Sequence, residues 1–229
     1  MELLAALEAI HQHWLNRYGQ DGWFCATGCG SCCTQSVTIT AIEGRRILSH
    51  LAADGRHWTT SSGPNQSGTA SLTLTTNQLA RLCLDGIEPP EPTQNPWDLT
   101  PCPFLEEGRC SIYPARPFMC RAFVSRNDCA QAGEALVEPV VVTATTVFLQ
   151  LIEHLGQGEV WGTLGQVLDH LSVTADQTTT LAQAEPLPGF LIPPEEQRTL
   201  DGFFNALSHT QVRGKSVWQW LQEGGYRGL

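Results

Sequence analysis

A mainly α fold with a few short strands and long irregular loops is what this 229-residue sequence predicts. Apolar residues recur at helical spacing near both ends of the chain, and β-branched alternation is confined to brief stretches. Proline-rich connectors interrupt both halves and exclude long regular elements there. Hydrophobic content of 41% against 16% charge fits a chain that folds around its own core.

The opening stretch MELLAALEAIHQHWLNRYG sets Leu3, Leu7, Ile10, Trp14 and Tyr18 at helical spacing, an amphipathic helix packed on the core. It has no basic leader, Glu2 and Glu8 interrupt it, and no small-residue cleavage site follows, so it does not read as a signal peptide. SVTIT alternates polar and β-branched residues as a short strand would. Thr40 and Glu43 stand at capping-box spacing and open a helix through AIEGRRILSHLAA, which Gly55 ends. Arg45 and Arg46 are expected on its solvated face. Residues 59–71 are small, polar and turn-rich, an exposed loop. TTNQLARLCLDG reads as a short helix whose apolar side holds Leu79, Leu82 and Cys83. EPPEPTQNPWDLTPCP must run as extended chain and turns.

The second half changes character. VEPVVVTATTVFLQLIEHLG is expected to begin as a strand and become a helix from about Thr143 to His154, closed by Gly156. EVWGTLGQVLDHL offers Val160, Leu164, Val167, Leu168 and Leu171 on one helical face. AEPLPGFLIPPEEQ is a connector, and LDGFFNALSH and SVWQWLQEGG are short helices by pattern. The natural division is a cysteine-bearing segment, residues 1–135, and a cysteine-free helical region, 136–229, with the two able to share one core.

Charge and hydropathy narrow the partners. A formal net charge of −10 argues against nucleic acid, because phosphate binding needs a basic face. No apolar run is long enough to span a bilayer, so no membrane partner is expected. The expected compartment is the cytoplasm, where clustered cysteines bind metal or react more often than they form structural disulfides. A protein partner is expected to dock through the helical C-terminal region.

Seven of the nine cysteines form two groups. CATGCGSCC carries Cys25, Cys29, Cys32 and Cys33, and CPFLEEGRCSIYPARPFMC carries Cys102, Cys110 and Cys120. Short spacing lets a curled loop aim several sulfurs at one centre, and Gly28 and Gly30 ease the curl. Adjacent Cys32 and Cys33 cannot bond to each other without a strained ring. They serve different metal atoms, or one binds metal while the other packs or reacts. Prolines 101, 103, 114 and 117 stiffen the second group, as a preformed site requires. Arg109, Arg116, Arg121 and Arg126 are concentrated around it, and guanidinium groups offset the charge of thiolates; Arg116 and Arg121, flanking Cys120, are the expected cofactor contacts. Cys83 is expected as a small buried hydrophobe, and Cys129 as either an extra ligand or packing. His11 and His13 diverge on their helix, while His50, His57, His154, His170 and His209 are expected at the surface or at helix ends. Tyr113 is expected to pack between the prolines.

These residues complete the predicted fold class as a metal-stapled cysteine-cluster core. Seven thiols exceed one tetrahedral zinc site and fall one short of two, unless Cys129 joins or a cluster brings bridging sulfide. Three sulfurs from residues 25–33 with one from the second group would hold an iron–sulfur cluster such as 4Fe-4S, preferred here over zinc. A closed all-cysteine shell would mark a binding or electron-transfer module, and an open position an enzyme. No nucleophile–base pair or phosphate loop is legible, so no catalytic residue is named.

FCATGCGSCC, VTITAIEGRRI and CPFLEEGRCSIYPARPFMCR together resemble the CxxCxxCC family, the YkgJ-like cysteine-cluster proteins of zinc- or iron-chelating type, over roughly residues 23–125. Three residues separate Cys25 from Cys29 where the family name implies two. The resemblance implies metal or iron–sulfur binding through Cys25, Cys29, Cys32, Cys33, Cys102, Cys110 and Cys120, and no agreed reaction. Flagellin lysine N-methylases contain a similar cysteine region, but no glycine-rich S-adenosylmethionine site is legible here. Cys25-x3-Cys29-x2-Cys32 also matches the radical S-adenosylmethionine pattern, although Ser31 stands where that family usually has an aromatic residue. The alternative function is thus a metal-dependent enzyme modifying a protein or small molecule.

Overall fold

The architecture comes from a computed structural model describing residues 1–19, 22–26, 28–59, 74–91, 100–172 and 181–224. Among the described residues it is mainly helical, with short strands in small antiparallel sheets. The expected loop at 59–71 lies outside them except for its first residue, as does the middle of the 88–103 connector.

Helix α1 (Glu2–Tyr18) buries Leu4, Leu7, Ile10, His11, Trp14 and Leu15, while Leu3 and Tyr18 pack at the rim of that face. Strand β1 (Thr38–Thr40) leads into α2 (Ala41–Ala53). The capping box forms as its spacing predicts: the Thr40 hydroxyl accepts the Glu43 N–H, and the Glu43 carboxylate accepts the Thr40 N–H at 3.0 Å. Arg46 is not on a solvated face. Its side chain is 15% exposed, donates to both Glu8 carboxylate oxygens at 2.7 Å, and donates to the Arg116 carbonyl at 2.6 Å. Arg45 stays half-exposed and pairs with Glu159.

Helix α3 (Thr76–Leu84) forms as expected but is rotated. Cys83 is exposed rather than buried, and Leu79 is 43% exposed. Asn77 takes the inward position because its amide donates to the Gln150 and Glu185 carbonyls at 3.1 and 2.9 Å, and its N–H reaches the buried Glu153 carboxylate at 2.8 Å. With both its N–H and its side-chain NH₂ bonded, Asn77 outcompetes a cysteine for that face, although its Oδ1 has no partner among the described residues.

Strands β2 (Leu105–Glu106) and β3 (Arg109–Cys110) make a tight hairpin turned by Glu107 and Gly108, both with positive φ. A 3₁₀ turn (Tyr113–Ala115) and two short helices, α4 (Phe118–Ala122) and α5 (Cys129–Ala132), follow. Helix α6 (Pro139–Leu155) corrects the expected strand start: Val140–Val142 are already helical. Pro139 fits the first turn, where its missing N–H costs nothing, and Val140, Val141, Ala144, Val147 and Phe148 bury one face, so packing overrides β-branched preference. His154 stands in the last turn of α6, at a helix end as expected, and is buried there. The Leu187 N–H donates to its Nδ1 at 3.2 Å, which leaves Nε2–H to donate to the Leu221 carbonyl at 2.9 Å. Val160 belongs to strand β4 (Val160–Thr163) rather than to a helical face, because it pairs antiparallel with Gln183 while the rest of β4 pairs with β1; α7 (Leu164–Ser172) begins only after it. Strand β5 (Ala182–Gln183) completes that sheet in the order β1-β4-β5. Helix α8 (Gln197–His209), the hairpin β6 (Gln211–Val212)–β7 (Lys215–Ser216) and α9 (Val217–Glu223) end the described chain.

Two apolar clusters hold these elements, and each draws on residues before and after position 135. The first joins α1, α6, α8 and α9 with Phe118 and Ala122 of α4. The second joins Val37, Ile39, Ile47, Leu51, Phe104, Ile112 and the α7 residues Leu164, Val167 and Leu168. Cys102, Cys110, Met119 and Cys120 pack against the second cluster. Helix α4 therefore sits between the two clusters, turning Phe118 to one and Cys120 to the other.

Candidate metal centre

The 25–33 loop folds back on itself through two local bonds, Cys29 N–H to Ala26 O and Cys33 N–H to Gly30 O, both 3.0 Å. Gly28 at φ +98° supplies the left-handed backbone that this reversal uses. The loop is then clasped to the second cysteine group. The Cys102 N–H donates to the Cys33 carbonyl at 3.0 Å, the Gln35 N–H donates to the Thr100 carbonyl at 2.9 Å, and Thr34 bridges Pro101. Stiff proline-flanked chain on one side and a tight turn on the other make this a fixed junction.

From the clasp the second group wraps round. The Leu105 N–H donates to the Cys102 carbonyl at 2.9 Å, and the hairpin sets Cys110 opposite Leu105. Cys120 is delivered by α4, whose first N–H, from Phe118, is held by the Glu43 carboxylate at 2.8 Å. Cys25, Cys29, Cys32, Cys33, Cys102, Cys110 and Cys120 consequently line one cavity of about 370 Å³. All nine cysteines are free thiols. Among the described residues, no group of three or more His, Cys, Asp or Glu side chains is arranged to hold a metal ion as it stands.

Electrostatics show how closely the thiols crowd. The Cys32 thiol donates to the Cys33 sulfur, which pushes Cys32 up and holds Cys33 below the ordinary thiol range. Burial pushes Cys120 strongly up, and the Cys102 and Cys110 sulfurs add to it. Burial also raises Cys102 and Cys25, with Cys110 and Cys29 respectively adding repulsion. Crowded thiolates repel one another, and a bound cation replaces their protons and removes that cost.

The arginines divide. Arg116 and Arg121 both line the cavity. Arg116 stacks 4.0 Å over Tyr113, favours the charged form of Cys32, and has a buried Nε with no partner among the described residues. A guanidinium in the wall of a thiol-lined cavity fits an anionic, sulfur-rich content. Arg121 spends its donors on the loop itself, Nε to Arg116 O at 3.0 Å and Nη2 to Pro114 O at 2.8 Å. Arg109 is exposed on β3. Arg126 binds Glu138 and the Gly22 carbonyl and lies 3.9 Å over Trp23.

Glu43 is the site-building residue that sequence spacing missed in part, since its capping role was legible and its hold on Phe118 was not. Cys129 does not line the cavity among the described residues, yet its charge acts on Cys25.

The fold and site define a mainly helical protein with a thiol-lined cavity, and no described helix is long and apolar enough to cross a membrane. Residues 24–136 of the chain match the model of the CxxCxxCC family, which is described as a "Putative zinc- or iron-chelating domain". No curated protein and no solved structure matches the chain.

Proposed function

We propose that the cavity binds iron or zinc through Cys25, Cys29, Cys32, Cys33, Cys102, Cys110 and Cys120, with an iron–sulfur cluster preferred. The observation that carries this reading is the lining of one cavity by both cysteine groups, which the Cys33–Cys102 backbone bond ties together. The family's zinc- or iron-chelating description points the same way. Bound there, an iron–sulfur cluster supplies one-electron exchange, whereas zinc supplies a redox-inert staple. Arg116 offsets thiolate charge, Arg121 holds the carbonyls of the loop that carries Arg116, and Glu43 fixes the helix that carries Cys120. Nine free thiols suit a reducing compartment such as the cytoplasm.

The test is anaerobic purification followed by iron, zinc and acid-labile sulfide analysis with a visible spectrum. Brown protein containing sulfide is the expected result. Colourless protein with zinc and no sulfide overturns the cluster preference, and protein free of both metals overturns the reading itself.

A further inference from the structure

The family match begins at residue 24, but the cavity draws on the helix before it. Gln12, Leu15 and Asn16 of α1 line the cavity beside the cysteines. One turn ahead of Gln12 stands Glu8, whose side chain is only 12% exposed. Spacing by four puts Glu8 and Gln12 on one helical face.

Glu8 is the shared counter-ion of two guanidinium groups. Arg46 Nη1 donates to both of its carboxylate oxygens at 2.7 Å, and Arg121 Nε lies 3.4 Å from its Oε1. The same two arginines hold the chain just ahead of α4. Arg46 Nη2 donates to the Arg116 carbonyl at 2.6 Å and reaches the Ala115 carbonyl at 3.4 Å. Arg121 donates to the Arg116 and Pro114 carbonyls at 3.0 and 2.8 Å. Three consecutive carbonyl oxygens, those of residues 114 to 116, are thus all taken by guanidinium donors. Two cations converge on one of them, the Arg116 oxygen, and would repel each other without an anion that both can reach. Arg116 belongs to the clamped turn and Cys120 follows four residues later, and both line the cavity.

We propose that Glu8 and Arg46 are positioning residues of the cavity. Helix α1 supplies the anion that lets Arg46 and Arg121 clamp residues 114–116, and the clamp fixes Arg116 and Cys120 in the cavity wall. The proposal rests on the metal-binding reading for what the cavity serves, while the clamp itself needs no metal to exist. It makes the first helix, which lies before the matched segment, part of the site. A surface ion pair contributes little, but this one is enclosed. Loss of its carboxylate leaves two guanidinium groups uncompensated in the interior.

The test measures, in the reduced and metal-free full chain, the rate at which Cys120 is alkylated under native conditions, mapped by mass spectrometry. Glu8→Gln and Arg46→Lys should each raise that rate about tenfold, because losing one charge-assisted contact is enough for local opening of that order. Lysine keeps a charge opposite Glu8 but, as a point charge, cannot span a carboxylate and two carbonyls. Two controls separate positioning from loss of stability. Leu207→Ala opens a fully buried site in the first apolar cluster, off the cavity, and lowers urea stability without touching the clamp. Glu2→Gln removes the exposed pair that the same helix makes with Arg213. Neither should speed Cys120 beyond what its urea stability accounts for. A parent-like rate in Glu8→Gln or Arg46→Lys overturns the proposal. So does a Glu8→Gln rate equal to that of Leu207→Ala once both are set on one urea-stability scale. In the loaded chain, Glu8→Gln should surrender metal to a chelator about tenfold faster than the parent, and release no faster than the parent's overturns its part in holding metal. A parent chain that holds no metal refutes the metal-binding reading, and the alkylation rates still decide the clamp.

Discussion

Glu43, in the first turn of α2, accepts the backbone N–H of Phe118 at 2.8 Å, and its other carboxylate oxygen accepts the Thr40 N–H and hydroxyl at 3.0 Å. One buried carboxylate thus joins the strand-to-helix corner to the helix that presents Cys120. Burial pushes its pKa up, against the pull of those donors. Glu43→Ala leaves two backbone N–H groups unpaired in the interior and should cost about 2–4 kcal/mol in urea unfolding. Glu43→Gln keeps one acceptor oxygen and should cost less. Equal losses for the two variants would show that the acceptor is not what matters.

Metal content should follow the cysteine map. Cys29→Ser or Cys120→Ser should lower bound metal and stability together, because ligand binding to the folded chain is folding free energy. At free metal a thousandfold above its Kd that contribution is about 4 kcal/mol per site. Cys83→Ser should leave metal content unchanged, since Cys83 is exposed on α3. A large loss there would refute the map.

His11 is 1% exposed, lies 4.8 Å from the Phe118 ring and 5.1 Å from the Phe148 ring, and leaves Nε2 without a partner among the described residues. Burial lowers its pKa from 6.5 to about 4. Below pH 6.5 the unfolded chain takes up a proton that the folded chain refuses, so stability falls as pH drops from 6.5 towards 4. The full effect is about 3 kcal/mol. His11→Leu should remove this slope, and the stability difference between variant and parent should widen between pH 7 and pH 4. A difference that stays constant with pH would assign the acid sensitivity elsewhere.

Gly44 of α2 faces α7 so closely that an added Cβ would lie 2.8 Å from Leu171 Cδ1 and 3.1 Å from Val167 Cγ1. Alanine is the better helix former, by about 1 kcal/mol. Here the contact should dominate, and Gly44→Ala should destabilise by about 1–3 kcal/mol. Thermal unfolding decides the sign, and a stabilised variant would mean that Leu171 yields freely.

Local signals carried well from sequence to structure, and long-range ones did not. The Thr40–Glu43 box and the helical spacing of α1, α8 and α9 are written within a few residues, and both appear as read. The Glu107–Gly108 turn was missed because glutamate at positive φ carries no turn signature. Asn77 turned α3 around through carbonyls more than seventy residues away, which no window of sequence reveals. Val140–Val142 and Val160 take other forms for the same reason: Val140 and Val141 pack on the core within a helix that takes in Val142, and Val160 pairs with Gln183 in the sheet. At the site, residue type alone singled out the seven cysteines that line the cavity. The backbone clasp between Cys33 and Cys102, and the neighbourhood of Cys25 and Cys129, exist only once the chain has folded.

The partners of the first helix have a bearing on how the chain is made. Helix α1 packs on α6, α8 and α9, and β1 pairs with β4, so the earliest segment has no surface to rest on until the latest ones exist. A ribosome releases the N-terminus first, and this topology denies it piecewise, domain-by-domain folding. The sulfhydryls of the 25–33 loop therefore emerge long before the 102–124 segment and Leu164 that wall them in, and they stand bare until those residues follow.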